Sequence, residues 1–229
     1  MDKEFIRSNI AAAAAEAAEH GAVLCAVIKT RSCDEVDFAV RECGVRVVGE
    51  NRVQELLAHY PTLESSGAEI HFIGHLQKNK VKYIVDKVEM IESLDSVALA
   101  EEIEKQASKI GRSVDALIEI NIGREEQKSG IMPEDLGAFL DETERFEHIT
   151  VRGLMTVAPK CENVSDYVRY FAATKALFDG VFKKKRPGVK DPVLSMGMSE
   201  SYPEALRCGS TEIRLGTKIF GKRPDATKK

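Results

Sequence analysis

Eight short apolar segments alternate with longer amphipathic stretches along the chain, and this alternation constrains the fold more than any other feature. The apolar segments predict strands at residues 22–28, 46–49, 69–73, 87–91, 115–121, 149–154, 192–195 and 212–215. The stretches between them predict helices at 32–43, 52–63, 77–85, 96–109, 133–144, 164–182 and 202–208, with a last helix or turn at 217–220. The strands lack polar alternation, which is typical of a parallel sheet covered by helices.

Two α/β folds are compatible with this pattern. The βα units follow one another without a change in composition, which predicts one domain over residues 1–229. A doubly wound open sheet is the alternative, but its GxGxxG fingerprint does not follow the first predicted strand. We therefore expect a single (β/α)8 TIM-type barrel, with an extra N-terminal helix at residues 4–19.

Composition limits the partners and the compartment. The net charge of −4 and pI near 5.8 give no global attraction to nucleic acid or to an anionic membrane. The basic run Lys183-Lys184-Lys185-Arg186 is interpreted as the solvated end of a helix. Five cysteines without a CxxC pair indicate free thiols in a reducing compartment. Without a signal sequence or an apolar run of about 18 residues, a cytoplasmic protein is expected.

A lysine stands at the predicted mouth of the barrel. Active sites of this fold lie at the C-terminal ends of the strands, and Lys29 directly follows the first predicted strand. Burial at such a position favours the neutral amine, which can attack an aldehyde. The alternative is a strand-end lysine that simply reaches solvent.

Two loops near the end of the chain are candidates for a phosphate site. Closure of the barrel would make the first and eighth strands neighbours. The eighth strand leads into Gly216 and Thr217, which can offer N–H and hydroxyl donors, and Ser199 can bind phosphate while capping the next helix. Phosphate sites built by the loops after strands seven and eight recur in this fold, although each loop alone could be an ordinary turn.

Other polar residues near strand ends carry weaker signals. Asn51 can bind a phenolic oxygen of a ligand or cap the following helix. His71 and His75 straddle a predicted strand end, so we expect no metal pair there. The segments at 127–130 and 155–156 can flank the mouth, although Met155 is the more typical core residue.

These residues belong to a larger pattern that covers nearly the whole chain in order. Its segments are Ala26-Val27-Ile28-Lys29-Thr30, Gly49-Glu50-Asn51-Arg52-Val53-Gln54-Glu55, His71-Phe72-Ile73-Gly74-His75-Leu76-Gln77, Asn121-Ile122-Gly123, Gln127-Lys128-Ser129-Gly130-Ile131, Arg152-Gly153-Leu154-Met155-Thr156, Leu194-Ser195-Met196-Gly197-Met198-Ser199, Gly209-Ser210-Thr211 and Gly216-Thr217. With them the sequence resembles the pyridoxal phosphate homeostasis protein family, relatives of the N-terminal barrel of alanine racemase.

The resemblance implies pyridoxal 5′-phosphate (PLP) as the cofactor and assigns roles by position. Lys29 matches the Schiff-base lysine of the family, and Arg214 matches the arginine that faces the pyridine nitrogen. Ser199, Gly216 and Thr217 match the phosphate binders, whereas Asn51 matches a residue near the cofactor ring.

The sequence departs from the family at two positions. Ile28 stands where serine is common, and Arg52 stands where tyrosine is common. Ile28 would make the surroundings of the lysine drier.

Three functions are compatible with the sequence. The first is an intracellular PLP carrier that holds the cofactor as an internal aldimine without strong catalysis of its own and supplies apo forms of PLP-dependent enzymes. An arginine at the ring nitrogen discourages protonation there, which makes the cofactor a poorer electron sink. The second is an amino-acid racemase. The third is a phosphosugar-binding barrel enzyme without the cofactor.

The racemase requires a proton donor on each face of the substrate. In alanine racemase-like enzymes the opposing tyrosine comes from a further β-domain, which we expect this chain to lack because it ends at Lys229. Tyr202 is the tyrosine nearest to the predicted site, and a contact at the start of a helix is its more typical role. We therefore expect a carrier rather than an enzyme, as a monomer or weak dimer.

Overall fold

The chain folds as one closed barrel of eight parallel strands. A computed structural model describes residues 1–183 and 189–222, so Lys184, Lys185 and Arg186 of the basic run lie outside the described residues. The strands are β1 (Val23–Val27), β2 (Val47–Glu50), β3 (Glu69–Phe72), β4 (Met90–Leu94), β5 (Val114–Ile120), β6 (Ile149–Thr156), β7 (Val193–Ser195) and β8 (Glu212–Leu215). The helices are α1 (Lys3–Glu19), α2 (Cys33–Asp37), α3 (Val53–Leu63), α4 (Val97–Lys109), α5 (Leu136–Thr143), α6 (Val164–Phe178), α7 (Tyr202–Arg207) and α8 (Thr217–Phe220).

The first and last strands close the barrel. Cys25 of β1 pairs with Arg214 of β8, and Ala26 pairs with Leu215 in the same parallel register. The C-terminal ends of β1 and β8 therefore lie side by side. The predicted TIM-type barrel is confirmed, and so is the extra N-terminal helix.

The extra helix is stabilised by its own sequence and by a buried stripe. The side chain of Asp2 accepts a hydrogen bond from the Phe5 N–H, which caps the first turn of α1. An alanine run favours the helical backbone. Ile6, Ile10 and Ala13 recur at helical spacing and are buried against the barrel.

Each strand sends alternate side chains into the barrel and out towards the helices. On β4, Ile91 packs in the main core under the helices, whereas Met90 and Glu92 point inwards. Met90 packs with Leu117 and Met155 as an apolar layer inside the barrel. Met155 is therefore a core residue, and the inward-facing residues above this layer are polar.

Four predicted elements differ from the structure. The segment predicted as a helix at 77–85 forms a 3₁₀ helix at Lys78–Tyr83, because the like-charged Lys78 and Lys82 stand four residues apart and disfavour an α-helix. The fourth strand begins three residues later than predicted and includes the buried polar pair Glu92 and Ser93. The helices predicted at 32–43 and 164–182 each end in a π-helical turn, at Phe38–Glu42 and Asp179–Lys183.

Across residues 1–183 and 189–222, no helix is both long and apolar enough to span a bilayer.

Candidate cofactor site

A cavity of about 420 Å³ opens at the C-terminal ends of β1, β7 and β8. This volume is in the range of small-molecule sites. Its wall brings together five of the six predicted site residues, which are Lys29, Ser199, Arg214, Gly216 and Thr217. Lys128 and Lys160 also contribute to the wall, so the described part of the wall has four cationic side chains against one carboxylate, that of Glu200, and suits an anionic ligand. A larger groove of about 510 Å³ between α5 and α6 lies outside the barrel, and the described residues of its wall include no cationic side chain.

The backbone around Lys29 is held on both sides. Ile28 donates its N–H to the Gly49 carbonyl group at 3.0 Å, which extends the β1–β2 pairing by one residue. Thr30 adopts a left-handed backbone with φ of 62°, an uncommon conformation for a β-branched residue. Its N–H binds the Glu55 carboxylate at 2.7 Å. The turn therefore fixes the point from which the Lys29 side chain enters the cavity.

Arg31 ties this turn to the other side of the barrel closure. Its guanidinium donates to the backbone carbonyl groups of Phe220 and Gly221 at 3.3 and 2.7 Å, and it lies 5.2 Å from the centre of the Phe220 ring. Arg31 is buried. Through these contacts the loop after β1 and helix α8 are held together across the cavity.

The predicted phosphate binders meet at the start of α8. The Ser199 hydroxyl accepts a hydrogen bond from the Lys218 N–H at 3.2 Å. A Cβ atom added to Gly216 would lie 3.4 Å from the Val27 carbonyl oxygen, so the two strand ends approach closely here. Hydroxyl groups of Ser199 and Thr217 and the backbone of Gly216 thus share one wall.

Two predicted helix caps are wrong. The residue before α7 is Ser201, and Ser199 bonds to α8 instead. The residue before α3 is Arg52, so Asn51 does not cap that helix. In both cases the chain makes a turn after the strand before the helix begins, and one or two residues separate the predicted cap from the helix.

Arg214 forms the buried side of the cavity. It is 4% exposed, and its Nη2 donates to the Thr156 carbonyl group at 2.8 Å while Nη1 donates to the Ser195 hydroxyl at 2.5 Å. Nη1 also lies 3.7 Å from Oε2 of the Glu92 carboxyl group. These contacts anchor a permanently charged group at the site.

Asn51 does not join the other five residues. It lines a separate recess of about 200 Å³ beside the start of α3, together with His75 and Lys80. Its Oδ1 is buried and finds no hydrogen-bond partner among residues 1–183 and 189–222. Gly74 packs against its backbone, since a Cβ atom at Gly74 would lie 2.2 Å from the Asn51 carbonyl oxygen.

Sequence similarity points to the same kind of protein as the lysine-containing cavity does. Residues 1–224 match the sequence model of the family described as "Alanine racemase, N-terminal domain". A pyridoxal phosphate homeostasis protein of Aquifex aeolicus is 45% identical over 181 residues, which is 79% of this chain and 78% of that protein. The chain belongs to the pyridoxal phosphate homeostasis protein family.

Solved structures support both the family and the fold. PipY of Synechococcus elongatus, solved with PLP bound, is 33% identical and superposes with a TM-score of 0.79 over 88% of this chain and 93% of that chain. Alanine racemase of Corynebacterium glutamicum is 16% identical with a TM-score of 0.77, covering 99% of this chain and 63% of that one. The latter likeness shows the shared barrel alone.

Sequence reasoning missed part of the cavity and all of its support. Lys160 and Tyr167 line the wall. Their position after the C-terminal end of β6 is the sequence feature that could have predicted this. Tyr202 does not face the cavity in the way a proton donor would, because its hydroxyl donates to the Glu16 carboxylate at 2.8 Å, and burial raises the pKa of Tyr202 to about 12. The buried polar residues below Arg214 were missed because they stand inside apolar strands.

Proposed function

We propose that this protein binds PLP reversibly at the cavity between β1 and β8 and acts as a carrier in vitamin B6 homeostasis. One observation carries the proposal. Lys29, which matches the Schiff-base lysine of the family, lines the same cavity as Ser199, Gly216 and Thr217. The names of the relatives and the PLP-bound PipY structure support this choice of ligand.

The residues present fit the cofactor. When bound, PLP supplies an aldehyde that a neutral lysine amine can attack, forming a C=N bond with loss of one water molecule. Lys29 would provide the amine, and Ser199, Gly216 and Thr217 would hold the phosphate through hydroxyl and N–H donors. Arg214 would face the ring nitrogen from the buried side of the cavity.

Asn51 has a weaker place in this proposal. Asn51 lies in a recess that is separate from the cavity. We therefore propose only that Asn51, at the end of β2, lies near the ring of the bound cofactor. An Asn51→Ala variant tests this. A change in cofactor affinity of less than about twofold would remove Asn51 from the site, since loss of a real hydrogen bond costs about 1 kcal/mol.

The carrier is favoured over an amino-acid racemase. The Arg214 guanidinium beside the ring nitrogen disfavours the electron-poor ring that carbanion chemistry requires. Tyr202 is bound to Glu16, and Tyr167 in the cavity wall accepts the Cys161 N–H at 3.2 Å. The Tyr167 hydroxyl accepts this hydrogen bond and can still donate one of its own, so exchange of the α-hydrogen of L-alanine in D₂O is the direct test. Exchange that depends on Tyr167 would replace the carrier by the racemase.

Further parts of the proposal concern organisation and partners. We propose one domain over residues 1–229 and a cytoplasmic location, supported by five cysteines without a disulfide. Apo forms of PLP-dependent enzymes are the proposed recipients. Transfer from the loaded protein to an apo-enzyme can be measured as recovery of that enzyme's activity, and light scattering distinguishes the proposed monomer or weak dimer from larger assemblies.

The decisive experiment compares three proteins in an absorbance titration with PLP. The wild type should develop the absorbance of a lysine-bound cofactor, and Lys29→Ala should not. Lys160→Ala is the matched control, because it removes another lysine from the same cavity wall. Borohydride reduction followed by peptide mass spectrometry should then place the cofactor on Lys29. A wild type that stays colourless, or a label on Lys160 instead, would overturn the proposal.

A further inference from the structure

A network of buried polar side chains lies inside the barrel beneath Arg214. Its members come from four strands and are Arg214 and Glu212 on β8, Ser195 on β7, Glu92 on β4 and His71 on β3. Each is at most 4% exposed. Buried charges of this kind are costly unless they are paired, so the network calls for an explanation.

The Ser195 hydroxyl is the centre of the network. Its Oγ accepts from Arg214 and lies 2.7 Å from Glu92 Oε2 and 2.8 Å from Glu212 Oε1. A hydroxyl carries one proton and two lone pairs. Both carboxylate contacts can therefore be hydrogen bonds only if one of the two carboxyl groups is itself protonated.

The surroundings identify Glu92 as the protonated group. Burial, followed by the charge of Glu212, raises the pKa of Glu92. Burial also opposes the charge on Glu212, but the charge of His71 and the hydrogen bonds around this carboxylate together outweigh burial and lower the pKa of Glu212. With Glu92 donating and Glu212 accepting, every hydrogen-bonding position of Ser195 is used.

The same cluster also has the ligand types of a metal site. One ligand atom each from Cys25, His71, Glu92 and Glu212 lies within 4.8 Å of the others. However, His71 Nδ1 already bonds to Glu92 at 2.8 Å, and the Arg214 guanidinium lies 3.7 Å from the same carboxyl group. A metal cation would have to displace these partners beside a permanent positive charge, so the cluster is better explained as support for Arg214.

We propose that Ser195 is the positioning residue that holds the Arg214 guanidinium at the cavity, with Glu92 and Glu212 fixing the serine in turn. The inference rests on the proposed function, because it gives Arg214 a ligand to face. Ser195 Oγ and the Thr156 carbonyl oxygen hold the two terminal nitrogens of the guanidinium. The side chain is therefore ordered before any ligand arrives, which reduces the entropy lost on binding.

Loss of the serine hydroxyl has a defined consequence. In Ser195→Ala, the Nη1 donor of Arg214 loses its acceptor while the Glu92 carboxyl group remains 3.7 Å away. Arg214 then turns towards Glu92 Oε2 for a direct hydrogen bond and withdraws from the cavity. A ring nitrogen that has lost its cationic neighbour becomes easier to protonate.

The test measures the ring nitrogen itself. Proteins are loaded with ¹⁵N-labelled PLP, and the nitrogen chemical shift is followed against pH. We expect Ser195→Ala to retain the borohydride-trapped bond to Lys29, to bind PLP about tenfold more weakly, and to raise the ring-nitrogen pKa by about one unit. Ser195→Thr restores the hydroxyl and should restore the wild-type pH profile. An unchanged profile and affinity in Ser195→Ala would overturn the inference.

Two controls separate positioning from stability. The Ser210 hydroxyl is buried and lies 2.7–3.1 Å from three backbone carbonyl oxygens, so Ser210→Ala should lower thermal stability and leave the ring nitrogen unchanged. Ser93 is buried beside Glu92, and its hydroxyl finds no partner among the residues the structure describes, so Ser93→Ala should change neither. A ring-nitrogen shift in Ser210→Ala as large as in Ser195→Ala would reduce Ser195 to a structural role.

A second pair of variants keeps the test decisive. If Ser195→Ala does not fold, Ser195→Cys fills the same space with a weak acceptor and should shift the ring nitrogen in the same direction. Glu92→Gln mimics the protonated carboxyl group and should leave the profile as in the wild type. A wild type that fails to form the Lys29 adduct refutes the proposed function, whereas a normal adduct with an unaffected Ser195→Cys profile refutes only the positioning role.

Discussion

Glu119 lies on β5 and gives a sharp test of the electrostatics at the barrel mouth. Burial, followed by the charge of Asp95, raises the pKa of Glu119 from 4.5 to about 7. A carboxyl group with a raised pKa in the folded state destabilises the protein where it must ionise. This penalty is absent below the unfolded-state value and reaches its full size above the folded-state value.

The penalty can be removed by substitution. One pKa unit corresponds to about 1.36 kcal/mol, so a rise from 4.5 to about 7 amounts to on the order of 3 kcal/mol above pH 8. Glu119→Gln keeps the size of the side chain and has no charge. We expect it to increase the free energy of unfolding by about that amount at pH 9 and to change it little at pH 4.

Urea denaturation of both proteins at the two pH values measures this difference. Glu126→Gln is the matched control, because Glu126 is exposed in the following loop and should show little change at either pH. An equal gain at pH 4 and pH 9 would mean that packing rather than charge is responsible. Absence of any gain at pH 9 would refute the reasoning.

Three further predictions concern the scaffold. A Cβ atom at Gly153 would lie 1.7 Å from a carbonyl oxygen of the adjacent strand. Gly153→Ala should therefore lower the free energy of unfolding, measured by urea denaturation, by at least about 2 kcal/mol. Gly137→Ala, on an open face of α5, should raise it by about 0.5–1 kcal/mol. Arg31→Ala removes two hydrogen bonds to carbonyl groups at the end of α8, so it should lower the stability measured in thermal unfolding by about 2 kcal/mol. It should also weaken PLP binding. An unchanged affinity for PLP would mean that α8 does not contribute to the site. The hydrogen bond that His59 donates to the Glu50 carboxylate raises the pKa of His59, so the stabilisation it provides is complete below about pH 6.5 and is lost as pH rises. His59→Gln should therefore cost more at pH 6 than at pH 9.

Local periodicity was sufficient to predict the barrel. Parallel strands covered by helices are largely apolar along their length, and this made segments such as Val23–Val27 recognisable. The same rule misplaced β4. Glu92 and Ser93 look like the end of a strand because they are polar, yet both are buried and belong to it. Their hydrogen-bonding environment comes from other strands and has no local signature.

The candidate site shows the same limit. Lys29 and Gly216 could be brought together in advance because barrel closure makes the first and last strands neighbours. Asn51 fell outside the cavity because residues just past a strand end can turn to either side, and that choice depends on tertiary packing against Gly74. The hydrogen bond from Arg214 to Ser195 joins residues on two different strands, so local sequence patterns could not predict it.

The pairing of Cys25 with Arg214 joins a strand that is synthesised early to one that is synthesised late. Lys29 is made early and the proposed phosphate binders are made late, so a nascent chain still on the ribosome has no complete form of the proposed site until β8 has emerged and docked on β1. Any ligand that bridges this seam adds its binding energy to a contact between residues far apart in sequence, which is the kind that forms slowly. Binding of the cofactor would then stabilise the barrel at the last step of its folding, when β8 has paired with β1.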